Sequence, residues 1–292
     1  MKLALIVCTI FVLVTLSFSF NSKDGWVSLL DRNLTQWNNY LSYRHSETYS
    51  GEMPKNENGE PLEPVGLNKD TDSVFSVLNE NGGPVLRVSG EIYGCLFTKE
   101  EFSNYHLRLK VKWGTKKWPP RKQKLRDTGI CYHSIGDYGK DYWRAWMMSQ
   151  EFQIMEGHMG DYWNIGNSAI DIKAFLPEGT MNPVAGNDQP FLAMGTGTDT
   201  KGFCLRTVNN ESPNGQWTTL DLICYNGNSL HIVNGKVVMV LSNSRYHQDN
   251  KDILLTKGKI QIQSEGAEVF YKDIEIKKLN TLPQEYANYF VR

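Results

Sequence analysis

Glu151-Phe152-Gln153-Ile154-Met155-Glu156 places two carboxylates around an amide. The alternation of polar and apolar types predicts a β-strand, and strand side chains alternate between faces. Glu151 and Gln153 then share one face, and Phe152 and Ile154 the other. Glu156 falls one residue out of phase. A β-bulge near Met155, of the kind found beside active sites, would return Glu156 to the polar face next to Glu151. Two carboxyl groups, one held protonated and one ionised, carry out acid/base chemistry on sugars. The competing reading is a strand end with two solvated glutamates.

Other residues near the motif have the chemistry to support it. His133 lies on an expected strand with the parity of Cys131, and its ordinary pKa near 6.5 suits proton transfer. His158 stands two residues after Glu156 and could orient it. Arg144 could bind sugar hydroxyls or form a surface salt bridge. Trp143, Trp146, Tyr162 and Trp163 could stack on the apolar face of a sugar or fill the core. Asp127 either faces the site or opens its strand as a turn residue. Glu151, Glu156, His158 and His133 are also the residue types that hold a divalent cation, although no tight spacing motif unites them.

These side chains need strands to position them, and strands are what most of the chain predicts. Tyr105, Leu107, Leu109, Val111 and Trp113 alternate with His106, Arg108, Lys110 and Lys112, a two-residue period. Residues 74–78 and 85–88 flank the turn cluster Asn81-Gly82-Gly83-Pro84. Residues 217–225, 260–263 and 269–276 read as further strands. Asn234-Gly235 joins residues 230–233 to 236–241 as a two-residue hairpin. No amphipathic helix of three turns is evident, and no repeat. The expected fold class is all-β, a two-sheet sandwich. Three segments read as loops: 44–70, the basic stretch Lys116–Arg126 as a solvated loop, and 157–213.

The chain has 292 residues and a net charge of −1, with no basic footprint for nucleic acid. Lys2, the apolar run 3–16 and the small residues Ser17 and Ser19 predict a secretory signal over residues 1–19. A single β-sandwich domain over 20–292, exported to the periplasm or the extracellular space, would follow, with no stable membrane insertion after cleavage. Cys95, Cys131, Cys204 and Cys224 remain in the mature chain. They allow three full pairings, and buried thiols are an equal alternative.

Several stretches resemble one family. Gly25 to Trp37 is similar to its "W-x-x-L-F-x-G-x-x-L-x-x-W" opening, and Asp127-Thr128-Gly129-Ile130 to its "[DN]-S-G-I" strand. Glu151-Phe152-Gln153-Ile154 resembles its "E-x-Q-I" strand. Gln216-Trp217-Thr218-Thr219 stands where it has "E-W-N", and Val233-Asn234-Gly235-Lys236 resembles its "L-N-G" hairpin. Residues 258–266 and 269–274 resemble its closing strands. Each motif alone is weak, but together, in the right order, they are specific. The family is the 3-keto-disaccharide hydrolases, and the resemblance spans nearly the whole mature chain.

The resemblance implies a concanavalin-like jelly roll and cleavage of glycosides already oxidised at C3. It also implies a separate C3-oxidising enzyme, since no nucleotide-binding Gly-rich fingerprint follows any strand here. No cofactor is expected beyond a possible divalent cation that would polarise the C3 ketone. The related laminarinase-type hydrolases carry E-x-D-x-x-E, so Glu151 and Glu156 match the two glutamates, and Gln153 departs from the central Asp. A ketone at C3 acidifies the C2 proton, and its removal expels the C1 substituent. On this reading Glu151 and Glu156 are base and acid, and Gln153, His133, His158, Arg144, Trp146, Trp163 and Asp127 bind substrate. The rival readings are a non-catalytic carbohydrate-binding module, a conventional β-glucan hydrolase and a structural surface protein.

Overall fold

The structure is a computed structural model that describes residues 24–44, 54–80, 82–139 and 145–291. The expected signal segment, residues 1–19, lies outside the described residues. Among those described, no helix is long and apolar enough to cross a membrane.

Two antiparallel sheets pack face to face. The larger runs in the order Val184–Ala185, Ser168–Phe175, Lys236–Gln248, Asn228–Val233, Thr218–Tyr225, Tyr105–Lys117, Ala267–Lys278, Gly83–Val88 and Phe75–Glu80, with three shorter strands off this path. The smaller runs Phe203–Cys204, Tyr162–Ile165, Met148–Met155, Asp127–Ile135, Lys259–Ser264, Ile92–Thr98, Trp37–Arg44 and Gly66–Leu67. This is the concanavalin-like jelly-roll sandwich that the strand pattern and the resemblance predict.

The core lies between the sheets and follows the two-residue period. Leu107, Leu109, Val111 and Trp113 from one sheet meet Ile130, Phe152, Ile154 and Ile262 from the other. Fully burying each such side chain contributes roughly 1.5–3 kcal/mol. A one-residue slip would turn Phe152 and Ile154 outward and Glu151 and Gln153 inward, so the core fixes the register that faces Glu151 away from it. The Asn234-Gly235 hairpin forms as expected, with φ of 46° and 78°.

The loop expectations need correction. Within 44–70, Gly66–Leu67 forms a short strand of the smaller sheet. Residues 157–213 contain the strands Tyr162–Ile165, Ser168–Phe175, Val184–Ala185, Phe191–Gly195 and Phe203–Cys204. All but the eight-residue Ser168–Phe175 are short, and turns break up the segment, so the polar turn residues outweigh the strand signal in sequence. The basic stretch is not simply solvated, because Arg121 folds back onto the smaller sheet. Cys95, Cys131, Cys204 and Cys224 are buried free thiols.

Candidate active site

The site is built on the outer face of the smaller sheet. Strand Met148–Met155 pairs with Asp127–Ile135, placing Glu151 opposite Cys131 and Gln153 opposite Gly129. On its other side Glu151 lies opposite Trp163. Strand Lys259–Ser264 adds Gln263, whose amide Nε2 donates to the Cys131 sulfur at 3.4 Å. Glu265 follows just past that strand's end. Because strands stand about 4.8 Å apart, same-face side chains on neighbouring strands converge.

Gly129 makes that convergence possible. A Cβ there would overlap the Glu151 carboxylate and stand 2.6 Å from Gln263 Oε1. The missing side chain lets both polar groups lie over the strand.

One guanidinium holds the acidic groups together. Arg121 Nη2 binds Asp127 Oδ2, and also Glu265 Oε1 at 2.6 Å. Asp127, Glu151 and Glu265 are all buried. Burial, the charges of Glu265 and Glu151, and only partial relief from Arg121 push the Asp127 carboxyl well above its usual range. Arg121 moves upward in turn: the Glu265 and Asp127 charges outweigh its own desolvation. Tyr93, beside the guanidinium, is raised chiefly by burial. The Asp127 carboxyl is thus shifted toward its protonated form beside two other buried carboxyl groups, and a carboxylic acid next to further carboxyl groups is the division of labour acid/base catalysis needs.

These groups line a cavity of about 160 Å³, together with Trp146, Trp163, Ile165, Gln153 and Gln263. Five of its buried side-chain atoms have no hydrogen-bond partner among the described residues: Arg121 Nε, Asp127 Oδ1, Trp146 Nε1, Gln153 Oε1 and Gln263 Oε1. Buried polar atoms are nearly always paired, so five orphans around one cavity mark a place built for a polar ligand. Two are donors and the amide oxygens are acceptors, the mix that a ring of hydroxyls and carbonyls requires. Trp163 is 42% exposed and packs tilted against Phe203, with ring centroids 4.4 Å apart, leaving ring surface open beside Glu151. Trp146 is buried and stacks on Tyr93.

Glu156 does not join this site. No bulge interrupts the pairing between Glu151 and Met155, so nothing restores Glu156 to the polar face. Its main-chain N–H donates to Arg126 O, and its carboxylate accepts from Arg126 Nη1 at 2.8 Å. It lines a different cavity, with Trp113 and Glu211. His158 follows it away, pairing with Asp161 at 3.1 Å. Arg206 braces the same Asp161.

His133 is also misplaced by parity alone. The bulge falls on its strand instead, where the register shifts between Tyr132 and Ile135 and His133 takes φ 52°. The ring turns inward against Tyr132 and Tyr105. Burial lowers its pKa to about 4. The expected cation set of Glu151, Glu156, His158 and His133 therefore does not assemble. Among the described residues no three His, Cys, Asp or Glu side chains are arranged to hold a metal ion. Arg144 and Trp143 lie outside the described residues.

Glu151, Gln153, Asp127, Trp146 and Trp163 are brought together around one cavity, as expected from the sequence. Arg121, Gln263 and Glu265 were missed as site residues. The last two stand inside the closing motif, but no spacing signal ties them to Glu151. Arg121 is one of six basic residues in its segment, and only the fold distinguishes it.

This site lies on a carbohydrate-active protein. The chain belongs to the 3-keto-alpha-glucoside-1,2-lyase-like domain family, whose model matches residues 25–277. Among solved structures it is similar to a candidate glycosyl hydrolase of Parabacteroides distasonis, at 16% identity and TM-score 0.47 over 88% of this chain and 95% of that one. It is also similar to carbohydrate-binding module CBM66 of Bacillus subtilis, at 7% identity and TM-score 0.38 over 70% and 92%. A Bacillus subtilis protein of unknown function with a galectin-like fold gives 11% identity and TM-score 0.36 over 70% and 86%. No curated protein is matched.

Proposed function

We propose that the protein cleaves the glycosidic bond of 3-keto-glycosides by β-elimination in the Glu151–Asp127 cavity. The observation that carries this reading is the convergence of three buried carboxyl groups, one guanidinium and five unpartnered polar atoms in a member of this family. Glu151 takes the C2 proton. The C–H electron pair becomes the enolate of the C3 ketone, then forms the C1–C2 double bond as the C1–O bond breaks. Asp127, whose Oδ2 is tied to Arg121, gives its proton from Oδ1 to the departing oxygen. The donors Arg121 Nε and Trp146 Nε1 suit the developing enolate oxygen, and Gln153 and Gln263 suit ring hydroxyls. Water can then add to the unsaturated sugar, giving net hydrolysis.

On this reading a separate enzyme oxidises C3, and both act outside the cytoplasm. A binding module would have no use for a protonated buried carboxyl beside other carboxylates. The test is aglycone release from a β-glucoside and from its 3-keto derivative. Release from the keto compound alone is expected. Release from the plain glucoside would instead indicate conventional hydrolysis, and saturable binding without release would indicate a binding module.

A further inference from the structure

A second cavity adjoins the first. It measures about 430 Å³ and shares Trp146 and Ile165 with the Glu151 cavity as a common wall. Pockets for drug-sized ligands run from roughly 300 to 1,000 Å³. The 160 Å³ cavity falls below that range and suits one part of a ligand, while the neighbouring cavity has room for the rest.

The far wall of the larger cavity is built from polar groups. Asn167, Tyr246, His247 and Gln248 line it. His247 is held through a chain of charges that runs from the buried Arg245 to the exposed Asp252. Arg245, only 7% exposed, binds Asp171 at 2.7 Å and Asp252 at 3.1 Å. Asp252 accepts from His247 Nδ1 at 3.0 Å. The main-chain N–H of His247 donates to Asn167 O at 2.9 Å, fixing the two wall segments to each other. A carboxylate on Nδ1 sets the imidazole's orientation and leaves Nε2 for another partner. The His247 contact pulls the Asp252 carboxyl below its usual range despite its exposure. Gly197 packs against the same ring, where a Cβ would stand 2.8 Å from Nδ1. An imidazole braced by a carboxylate and a close glycine is costly to order unless something uses it.

We infer that this second cavity is the leaving-group subsite, with His247 as a specificity-determining contact for a hydroxylated, sugar-like aglycone. The inference rests on the proposed elimination in the adjoining cavity. The shared Trp146 wall separates the ring that is cleaved from the group that departs. A bulky polar leaving group gains contacts with Asn167, Tyr246 and His247, whereas a methyl group reaches none of them.

The test compares a 3-keto-disaccharide with the methyl 3-keto-glycoside of the same ring, using wild type, His247→Ala and Gln248→Ala. Gln248 is exposed, so its variant keeps the comparison alive if His247→Ala does not fold. Losing one good hydrogen bond corresponds to about a tenfold loss. His247→Ala is expected to lower kcat/KM roughly tenfold on the disaccharide and less than twofold on the methyl glycoside, and Gln248→Ala to act in the same direction more weakly. Equal effects on both substrates, or none on either from both variants, would overturn the subsite. If wild type cleaves neither keto compound, the elimination reading fails first.

Discussion

The carboxylate of Glu151 occupies the space that a side chain at Gly129 would fill. The two residues sit on adjacent strands, and the absence of one side chain sets the position of the other. Gly129 does not have a left-handed φ, so alanine is tolerated by the backbone and acts only by displacing Glu151 and Gln263. Gly129→Ala should reduce kcat/KM on a 3-keto-glycoside about 10²-fold, the scale of a 1 Å misplacement. Its melting temperature should stay close to wild type. Full activity with an intact fold would show that the position of Glu151 is immaterial.

Arg121 neutralises a cluster that is otherwise wholly acidic. Removing one partner of a buried ion pair leaves uncompensated charge and typically costs about 3–5 kcal/mol. Arg121→Ala should destabilise the protein by that order at pH 8. The penalty should shrink toward pH 4 as the stranded carboxyl groups protonate. Urea denaturation at the two pH values checks this, and a penalty independent of pH would contradict the charge argument.

Asp127 gives a prediction of opposite sign from the usual carboxylate. Its folded pKa is raised by burial first, then by Glu265 and Glu151. The stability its neutral form contributes is fully present below about pH 3.9 and is lost as pH rises through the folded value. Asp127→Asn preserves the neutral shape, so its melting temperature relative to wild type should climb between pH 4 and pH 8 while turnover falls about 10²- to 10⁴-fold. A flat or falling difference would reverse the direction of the shift.

Much of the fold was legible because burial enforces period two. The run Tyr105 to Trp113 alternates cleanly and forms a strand with those residues inward. Phe152 and Ile154 face the core, which correctly puts Glu151 and Gln153 outside. Parity fails where the backbone departs from it. The bulge expected after Glu151 occurs at His133 instead, reversing the assignments of both Glu156 and His133. Arg121 was hidden for another reason: it reaches Asp127 and Glu265 from outside the sheet, and a contact 144 residues apart in sequence carries no local pattern.

Two core histidines should set the acid limit of stability. Burial lowers His231 to about 3 and His133 to about 4. His231 donates from Nδ1 to Gly160 O at 3.1 Å. The unfolded chain takes up these protons near pH 6.5, so stability present above that value is lost as pH falls toward 4 and 3. Each histidine contributes a slope of up to ~1.4 kcal/mol per pH unit. His231→Phe should flatten the fall in unfolding free energy between pH 6.5 and 4, even if it costs stability at pH 7. An unchanged slope would show that His231 is not a neutral core group.

On the proposed reading Glu151, and not Glu156, acts with Asp127 on an oxidised sugar. The most direct measurement is aglycone release from a 3-keto-glucoside by wild type, Glu151→Gln and Glu156→Gln, with folding verified for each. Wild type is expected to release the aglycone, Glu151→Gln to lose roughly 10²- to 10⁴-fold, and Glu156→Gln to stay within a few-fold of wild type. Retained activity in Glu151→Gln, or its loss in a folded Glu156→Gln, would contradict that reading.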